Sequence, residues 1–119
     1  MSKTSEAVSV NSHFDGKDPV VQRIYERILS VSKAMGPLVV EPKKTSIHLV
    51  RTTAFAGIST RRMYLILTIK SDRQIKSSRI HKSQHTSANR FHHETRIEKP
   101  ADVDAEVIGW LKSAYALSA

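Results

Sequence analysis

Residues 63–70 read Met-Tyr-Leu-Ile-Leu-Thr-Ile-Lys and form the most apolar of the strands that the sequence predicts. In a strand, side chains point alternately to opposite faces. One face of this strand consists of Met63, Leu65, Leu67 and Ile69. The other face is also largely apolar, because it carries Tyr64, Ile66 and Thr68. A strand that is apolar on both faces is typical of the centre of a sheet, so the rest of the fold is expected to be arranged around it.

Further strands are predicted on both sides of this stretch. Short apolar or alternating runs occupy residues 38–40, 46–51, 54–58, 78–82 and 90–97. The tetrapeptide 41–44, Glu-Pro-Lys-Lys, predicts a turn, and a polar loop containing His85, Ser87 and Asn89 is expected between the last two strands. Gly57 indicates a bulge or a close backbone approach. The short connections favour an antiparallel meander.

Two amphipathic helices flank the strands. The first is predicted from Asp18 to about Met35, with Asp18 as N-cap, Pro19 in the first turn and Gly36-Pro37 as the stop. The second begins near residues 100–102. Its apolar stripe consists of Val103, Val107, Trp110, Leu111, Ala114 and Leu117.

The order helix, five or six strands, helix predicts a two-layer α+β domain. Because an amphipathic helix must bury its stripe, both helices are expected to pack on one face of the antiparallel sheet. The other face is then left to water or to a ligand. Residues 14–119 are expected to form this single domain, and residues 1–13, which show no period, are expected to form a disordered tail.

Composition excludes several function classes. The 119 residues include no cysteine, which excludes disulfides, thiolate metal sites and cysteine nucleophiles. No apolar run approaches the roughly 18–20 residues that span a bilayer, and the polar N-terminus has no signal-peptide core. The sequence therefore predicts a cytoplasmic protein without a membrane partner.

The formal net charge of +8 is concentrated in the middle of the chain. Residues 1–42 carry five basic and five acidic side chains, residues 43–99 carry thirteen and three, and residues 100–119 carry one and three. A concentrated positive region attracts polyanions, although it is also compatible with a merely solvated face.

The strand at 90–97 carries a candidate anion-binding row. Alternation places Arg90, His92, Glu94 and Arg96 on the open face, and Phe91, His93, Thr95 and Ile97 toward the helices. Arg79 and His81 are expected beside the first row, with Lys43, Lys44, Arg61 and Arg62 as peripheral charge. Arginines and imidazoles on a sheet face can hold phosphate or carboxylate oxygens. Buried among apolar groups, His93 would need a polar partner.

Metal and nuclease chemistry find little support. His92 and His93 are adjacent in a strand, so they point to opposite faces and cannot together bind one ion. Glu41-x-Lys43 matches a minimal nuclease element, but it lacks an acidic partner on a neighbouring strand, and Pro42 fits a turn better than a strand. We therefore expect no metal and no other cofactor.

Several separated motifs resemble one family. They are His13-Phe14-Asp15-Gly16-Lys17-Asp18-Pro19, Ile24-Tyr25-Glu26-Arg27-Ile28, Glu41-Pro42-Lys43-Lys44-Thr45, Phe55-Ala56-Gly57-Ile58, Arg90-Phe91-His92-His93 and Trp110-Leu111-Lys112. Over residues 13–117 the chain resembles the bacterial domain-of-unknown-function family 5655. Members occur alone or as the C-terminal domain of longer chains, some of them labelled predicted transport proteins. The resemblance implies a compact bacterial domain and supplies no reaction, cofactor or catalytic residue.

The leading interpretation is a non-enzymatic binding module whose basic sheet face engages nucleic acid or an acidic protein. The alternative is an enzyme or binding protein for a small anionic metabolite, in which His92 or His81 acts as acid or base and the arginines hold the ligand. A structural or dimerisation module is a third interpretation. The sequence leaves the ligand and the oligomeric state open.

Overall fold

Six antiparallel strands form one sheet in the computed structural model, which describes residues 9–119. The strands are β1 (Val39–Pro42), β2 (Ile47–Val50), β3 (Ala54–Thr60), β4 (Leu65–Ser71), β5 (Ile80–Ser87) and β6 (Arg90–Ile97). Their order across the sheet is β1-β2-β3-β4-β6-β5. The predicted α+β class is confirmed, and β6 has the predicted bounds.

Two helices complete the fold, both with the N-caps that their sequences provide. Helix α1 (Pro19–Lys33) begins after Asp18, whose carboxylate accepts a hydrogen bond from the Val20 N–H at 2.9 Å. Helix α2 (Ala105–Leu117) begins after Asp104, which accepts one from the Val107 N–H at 3.2 Å. Short 3₁₀ turns at Asn11–Phe14 and Pro100–Asp102 precede the two helices.

The core lies between the two helices and one face of the sheet. The fully buried side chains of this layer include Ile24 and Ile28 from α1, Leu111 from α2, and Leu65, Leu67 and Ile69 from the central strand β4. The apolar stripe predicted for the second helix is confirmed at Leu111. Met63, predicted to belong to the buried face of β4, is instead 55% exposed, because the strand begins only at Leu65 and Met63 lies in the preceding turn.

The predicted meander is wrong at its last two strands. β4 pairs with β6, and β5 lies outside β6 at the edge of the sheet. β6 brings His93, Thr95 and Ile97 into the buried layer, whereas β5 is mostly exposed along its length. The strand with more to bury therefore takes the inner position. The connection 72–79 has to cross from the end of β4 back to the start of β5, because these two strands run in the same direction.

Two predicted loops are partly strand. His85 and Ser87, expected in a loop, belong to β5, which reaches a two-residue turn at 88–89. A polar edge strand has no apolar alternation, so periodicity missed it. Glu41 and Pro42 likewise extend β1, where an edge strand tolerates a proline.

Residues 1–8 of the predicted tail lie outside the described residues. Its remaining part contacts the sheet: His13 is buried, and its Nε2 lies 2.8 Å from the Lys43 carbonyl oxygen. Thr60 donates its hydroxyl to the His13 carbonyl at 2.6 Å. This contact connects the first turn of the chain to the β1–β2 and β3–β4 hairpins.

Gly36 follows the end of α1, where Gly36-Pro37 was predicted to stop the helix. Its backbone φ is +150°. A β-carbon at this position would collide with the phenol oxygen of Tyr115. That phenol donates to the Pro37 carbonyl at 2.7 Å, and its ring packs edge-on against Phe55 with the centroids 5.3 Å apart. The close approach of the two segments therefore requires glycine.

We expect Gly36→Ala to lower the free energy of unfolding by about 2 kcal/mol or more, through backbone strain and displacement of Tyr115. The matched control is Gly109→Ala, an exposed helical position of α2 where the added methyl meets open space. It should raise stability by about 1 kcal/mol. Urea unfolding of both variants measures the difference. Equal stability of Gly36→Ala and the parent protein would show that the Tyr115 contact does not require glycine.

Candidate functional site

The face of the sheet turned away from the helices carries polar and titratable side chains. We call it the open sheet face. Its inner residues alternate with the core residues of the same strands and are His48 of β2, Gly57 of β3, Ile66, Thr68 and Lys70 of β4, and His92, Glu94 and Arg96 of β6. The predicted outward row on β6 is thus found where alternation puts it. Its partners come from strands that the sequence analysis had not connected to it.

A depression of about 300 Å³ lies on this face above Gly57. Gly57 is in register with His48 on one side and Thr68 on the other. A β-carbon built on Gly57 would lie 3.7 Å from His48 Cδ2 and 3.9 Å from Thr68 Cβ. Because glycine has no side chain to fill this space, its backbone forms the floor of the depression. Lys70 and His92 line the same space. We call this the Gly57 depression.

The described residues that line the Gly57 depression provide hydrogen-bond donors, and none of them is acidic. Hydroxyls of Thr45, Ser46, Ser59 and Thr68 line it together with two imidazoles and one ammonium. Glu94 is in register with Thr68 but is not part of the lining, and its carboxylate lies 3.8 Å from His81 Nε2. The lining therefore suits an anion better than a cation.

The Lys70 ammonium lies at the end of the depression nearest the C-terminus of α2. Its Nζ donates to Thr53 Oγ1 at 2.7 Å and to Ser118 Oγ at 3.1 Å. Burial, and then the positive charge of Arg90, lower the pKa of Lys70. An ammonium has three N–H groups, so one donor is left for a ligand. A bound anion would stabilise the charged form of Lys70 and so oppose the effects of burial and of Arg90 on its pKa.

His92 is the partner of Lys70 on β6. Burial lowers its pKa from the ordinary value of 6.5, and the charges of Lys70 and His93 lower it further. The imidazole is therefore mostly neutral at neutral pH and can donate from one ring nitrogen and accept at the other. A bound anion would favour the protonated form.

A second cleft, of about 650 Å³, lies on the open sheet face across β4 from the Gly57 depression, toward β6 and β5. We call it the acidic cleft because four carboxylates line it: Glu98, Asp102, Asp104 and Glu106. Arg96 lies here, with its guanidinium 4.0 Å from the centre of the Tyr64 ring and its Nε 3.1 Å from a Glu98 oxygen. His81 also lines it. The cationic groups of this cleft thus have acidic neighbours within the protein.

Arg79 points to the N-terminus of α2, rather than standing free beside the row on β6. Its guanidinium donates to both Asp104 oxygens at 2.8 and 3.0 Å, to Glu106 at 3.2 Å and to the Asp102 carbonyl at 2.7 Å. These bonds hold the pKa of Asp104 below its ordinary value, with the Arg79 hydrogen bond as the largest cause and the Val107 N–H as the next. Arg79 therefore connects the crossover 72–79 to α2.

The five predicted anion-binding residues are consequently divided between two places. Arg96, His81 and Arg79 line the acidic cleft. His92 lines the Gly57 depression, and the positive charge of Arg90 lowers the pKa of Lys70, which lines the same depression. The peripheral set Lys43, Lys44, Arg61 and Arg62 lies in the β1–β2 and β3–β4 hairpins, at one end of the sheet.

The hairpin cations differ in their surroundings. Lys43 Nζ lies 3.4 Å from Glu41, so the Glu-x-Lys element forms an ion pair on β1 and its turn. Lys44, Arg61 and Arg62 are exposed. Thr45 lines the Gly57 depression and directly follows Lys44, so the hairpin charge is continuous with the depression.

The structure gives no metal centre in the part of the chain it describes. Nowhere in residues 9–119 do three or more His, Asp or Glu side chains converge in a set that could hold an ion. His93 is fully buried; its Nδ1 lies 2.8 Å from Ser83 Oγ, and its Nε2 lies 3.1 Å from the Arg73 carbonyl oxygen. The expectation that it faces the helices with a polar partner is confirmed. None of the helices in residues 9–119 is long and apolar enough to span a bilayer.

Comparison with family models gives a match over residues 10–118, to a family described as a domain of unknown function, DUF5655. The chain belongs to this family. No curated protein matches the chain, and no solved structure does. The resemblance seen in the separated motifs is thereby confirmed, and function has to be argued from this DUF5655 domain's own geometry.

The sequence did not connect four residues of the Gly57 depression with the predicted anion-binding row: His48, Gly57, Thr68 and Lys70. Gly57 had been singled out as a position of close approach, and the structure gives that signal a meaning. Thr68 and Lys70 belong to β4, whose largely apolar sequence predicted a strand of the core. Only the register between β2, β3, β4 and β6 brings these side chains to His92.

Replacing Arg79 should destabilise this DUF5655 domain in a pH-dependent way. The depressed pKa of Asp104 means that its ion pair contributes stability above the ordinary value of 3.8, and that this contribution is lost as the pH falls through the pKa in the folded protein. We therefore expect Arg79→Gln to lower the urea midpoint at pH 7 and to have a smaller effect at about pH 2.

The control for this experiment is Arg73→Gln. Arg73 lies 3.1 Å from Asp72 but is 79% exposed, so its loss should change stability little at either pH. An equal effect of Arg79→Gln at both pH values would contradict the assigned role of the Asp104 ion pair.

Proposed function

We propose that this domain is a non-enzymatic binding module that receives the phosphate backbone of nucleic acid on its open sheet face. The observation that carries the proposal is the separation of charge on that face. The Gly57 depression and the adjoining hairpins present ammonium, guanidinium, imidazole and hydroxyl groups, and no carboxylate of residues 9–119 lines the depression. The four carboxylates line the acidic cleft, which lies across β4 toward β6 and β5 and also includes Tyr64 of the β3–β4 hairpin. A nucleic-acid partner agrees with the cytoplasmic location expected from the sequence.

A polyanion suits this surface better than an acidic protein. Protein interfaces depend on a few large apolar or aromatic anchors in their centre. The large hydrophobic side chains exposed within residues 9–119 are Val39 and Met63, and neither lines the depression. Phosphate oxygens need only the donors and charges that the face provides.

Contacts to the backbone also suit the surface better than stacking on bases. The Tyr64 ring is covered by the Arg96 guanidinium, at 4.0 Å. Phe91 is stacked between His85 and His93, with centroid separations of 4.4 and 5.8 Å. Stacking platforms for single strands need free aromatic faces. We therefore expect salt-dependent binding that is tolerant of base sequence.

Fluorescence anisotropy with labelled duplex and single-stranded oligonucleotides tests this proposal. If Lys44, Arg61, Arg62 and Lys70 each neutralise one phosphate, the slope of log affinity against log salt is about −4 for a duplex. Raising NaCl from about 50 to about 200 mM should then weaken binding about 100-fold. Absence of salt-dependent binding at micromolar protein would overturn the proposal, and binding of an acidic peptide instead would favour a protein partner.

The double variant Arg61→Gln/Arg62→Gln should reduce the slope by about 2 and weaken binding at low salt about tenfold or more. Its matched control is Arg23→Gln/Lys112→Gln, which removes the same charge from exposed positions on the two helices. If binding depended only on net charge, the two double variants would bind nucleic acid equally well. A specific site on the sheet face requires Arg61→Gln/Arg62→Gln to bind more weakly than the control.

A further inference from the structure

The Gly57 depression is concave, whereas the hairpin cations beside it lie on projecting turns. Its volume of about 300 Å³ is at the lower end of the range of small-ligand pockets, about 300–1,000 Å³. The floor is the backbone of Gly57, and the walls rise on both neighbouring strands through His48 and Thr68. The terminal group of a molecule fits this shape, because it is connected to the rest of the molecule on one side only. An internal phosphodiester must carry its chain out in two directions.

The residues that can donate hydrogen bonds into the depression come from the strands on both sides of its floor. Lys70 lies toward the C-terminus of α2, His92 is its register partner, and His48 faces the glycine from the opposite strand. Thr68 contributes a hydroxyl between them. Four side chains from three strands can therefore donate to one group above Gly57.

We propose that the Gly57 depression is a subsite for a phosphomonoester, the terminal phosphate of a nucleic acid or of a small metabolite. The inference rests on the proposed anion-binding function of the open sheet face and names the group bound at its centre. A phosphomonoester carries a charge of about −1.5 to −2 at neutral pH and has three acceptor oxygens, so it can use more donors than a diester.

Protonation of His92 provides a readout specific to this subsite. The groups that act on this imidazole are Lys70 and His93, both of which lower its pKa, with Arg90 close to Lys70 and Glu94 next along β6. A dianion above Gly57 offsets the effect of Lys70. The His92 pKa measured by NMR should therefore rise when the subsite is filled.

The test is an NMR and calorimetric titration of the full chain with four probes. They are inorganic phosphate, a nucleoside 5′-monophosphate, a dinucleoside phosphodiester with no terminal phosphate, and matched short oligonucleotides with a 5′-phosphate or a 5′-hydroxyl. We expect the monoester to bind with Kd on the order of 0.1–1 mM and the diester at least tenfold more weakly. The 5′-phosphate should strengthen oligonucleotide binding by a similar factor.

Two variants remove the subsite by different means. Gly57→Val fills the depression, at a strand position where the first added carbon meets only ordinary contacts, and should weaken monoester binding at least tenfold. Lys70→Met removes the ammonium and should do the same. The control Lys82→Met removes an exposed charge on β5, opposite Glu94, and should leave monoester binding within twofold.

The outcomes separate this inference from the proposed function. Unchanged monoester binding in both Gly57→Val and Lys70→Met overturns the subsite, as does equal binding of monoester and diester. If oligonucleotides bind in that case, the sheet face still binds nucleic acid. If the monoester binds and depends on Gly57 while neither oligonucleotide binds, the subsite stands as that of a small phosphorylated metabolite and the nucleic-acid proposal is overturned.

Discussion

The pairing of β6 with β4 determines both the core and the candidate site. On the helix side it brings His93, Thr95 and Ile97 beside Leu65, Leu67 and Ile69. On the open side the same register brings His92 beside Lys70. Because β6 occupies the inner position, the chain has to cross from β4 to the far edge before β5 begins. The crossover 72–79 in turn supplies the backbone partner of His93 and brings Arg79 to the start of α2.

This arrangement also determines where the basic segment meets acidic side chains of the rest of the chain. A segment with thirteen basic and three acidic residues holds too few carboxylates to pair with most of its basic side chains, so further acidic partners have to come from elsewhere in the chain. The acidic start of α2 provides them at one end of the sheet, where it engages Arg79. The Gly57 depression is lined by no such group. The fold therefore divides the positive charge of this segment between two places, whereas the sequence shows only a continuous excess of basic residues.

The elements of the fold could be predicted because their signals are local. The helix cap at Asp18, the stop at Gly36 and the alternation of β6 depend on residues close in sequence. The start of the second helix was predicted too early, because residues 100–102 form a 3₁₀ turn and the helix begins at Ala105 after its cap Asp104. Strand order could not be predicted in this way, because it depends on comparing how much β5 and β6 bury. The candidate site has the same difficulty: His48, Gly57 and Lys70 come together through register between strands, and alternation within one strand found only His92. Arg79 was assigned from sequence proximity, which does not show that a carboxylate cluster lies across the fold.

The two-residue turn between β5 and β6 has a consequence for how the chain folds. Strands β1 to β4 pair with their sequence neighbours, and so do β5 and β6, so each group can form through local contacts. Only the β4–β6 ladder joins strands that are distant in sequence, and closing it orders the intervening crossover. Loop closure of this kind slows folding more than local hairpin formation does. The sheet thus consists of two groups of strands that pair with their sequence neighbours, β1–β4 and β5–β6, and the Lys70–His92 pair lies on the line where the two groups meet.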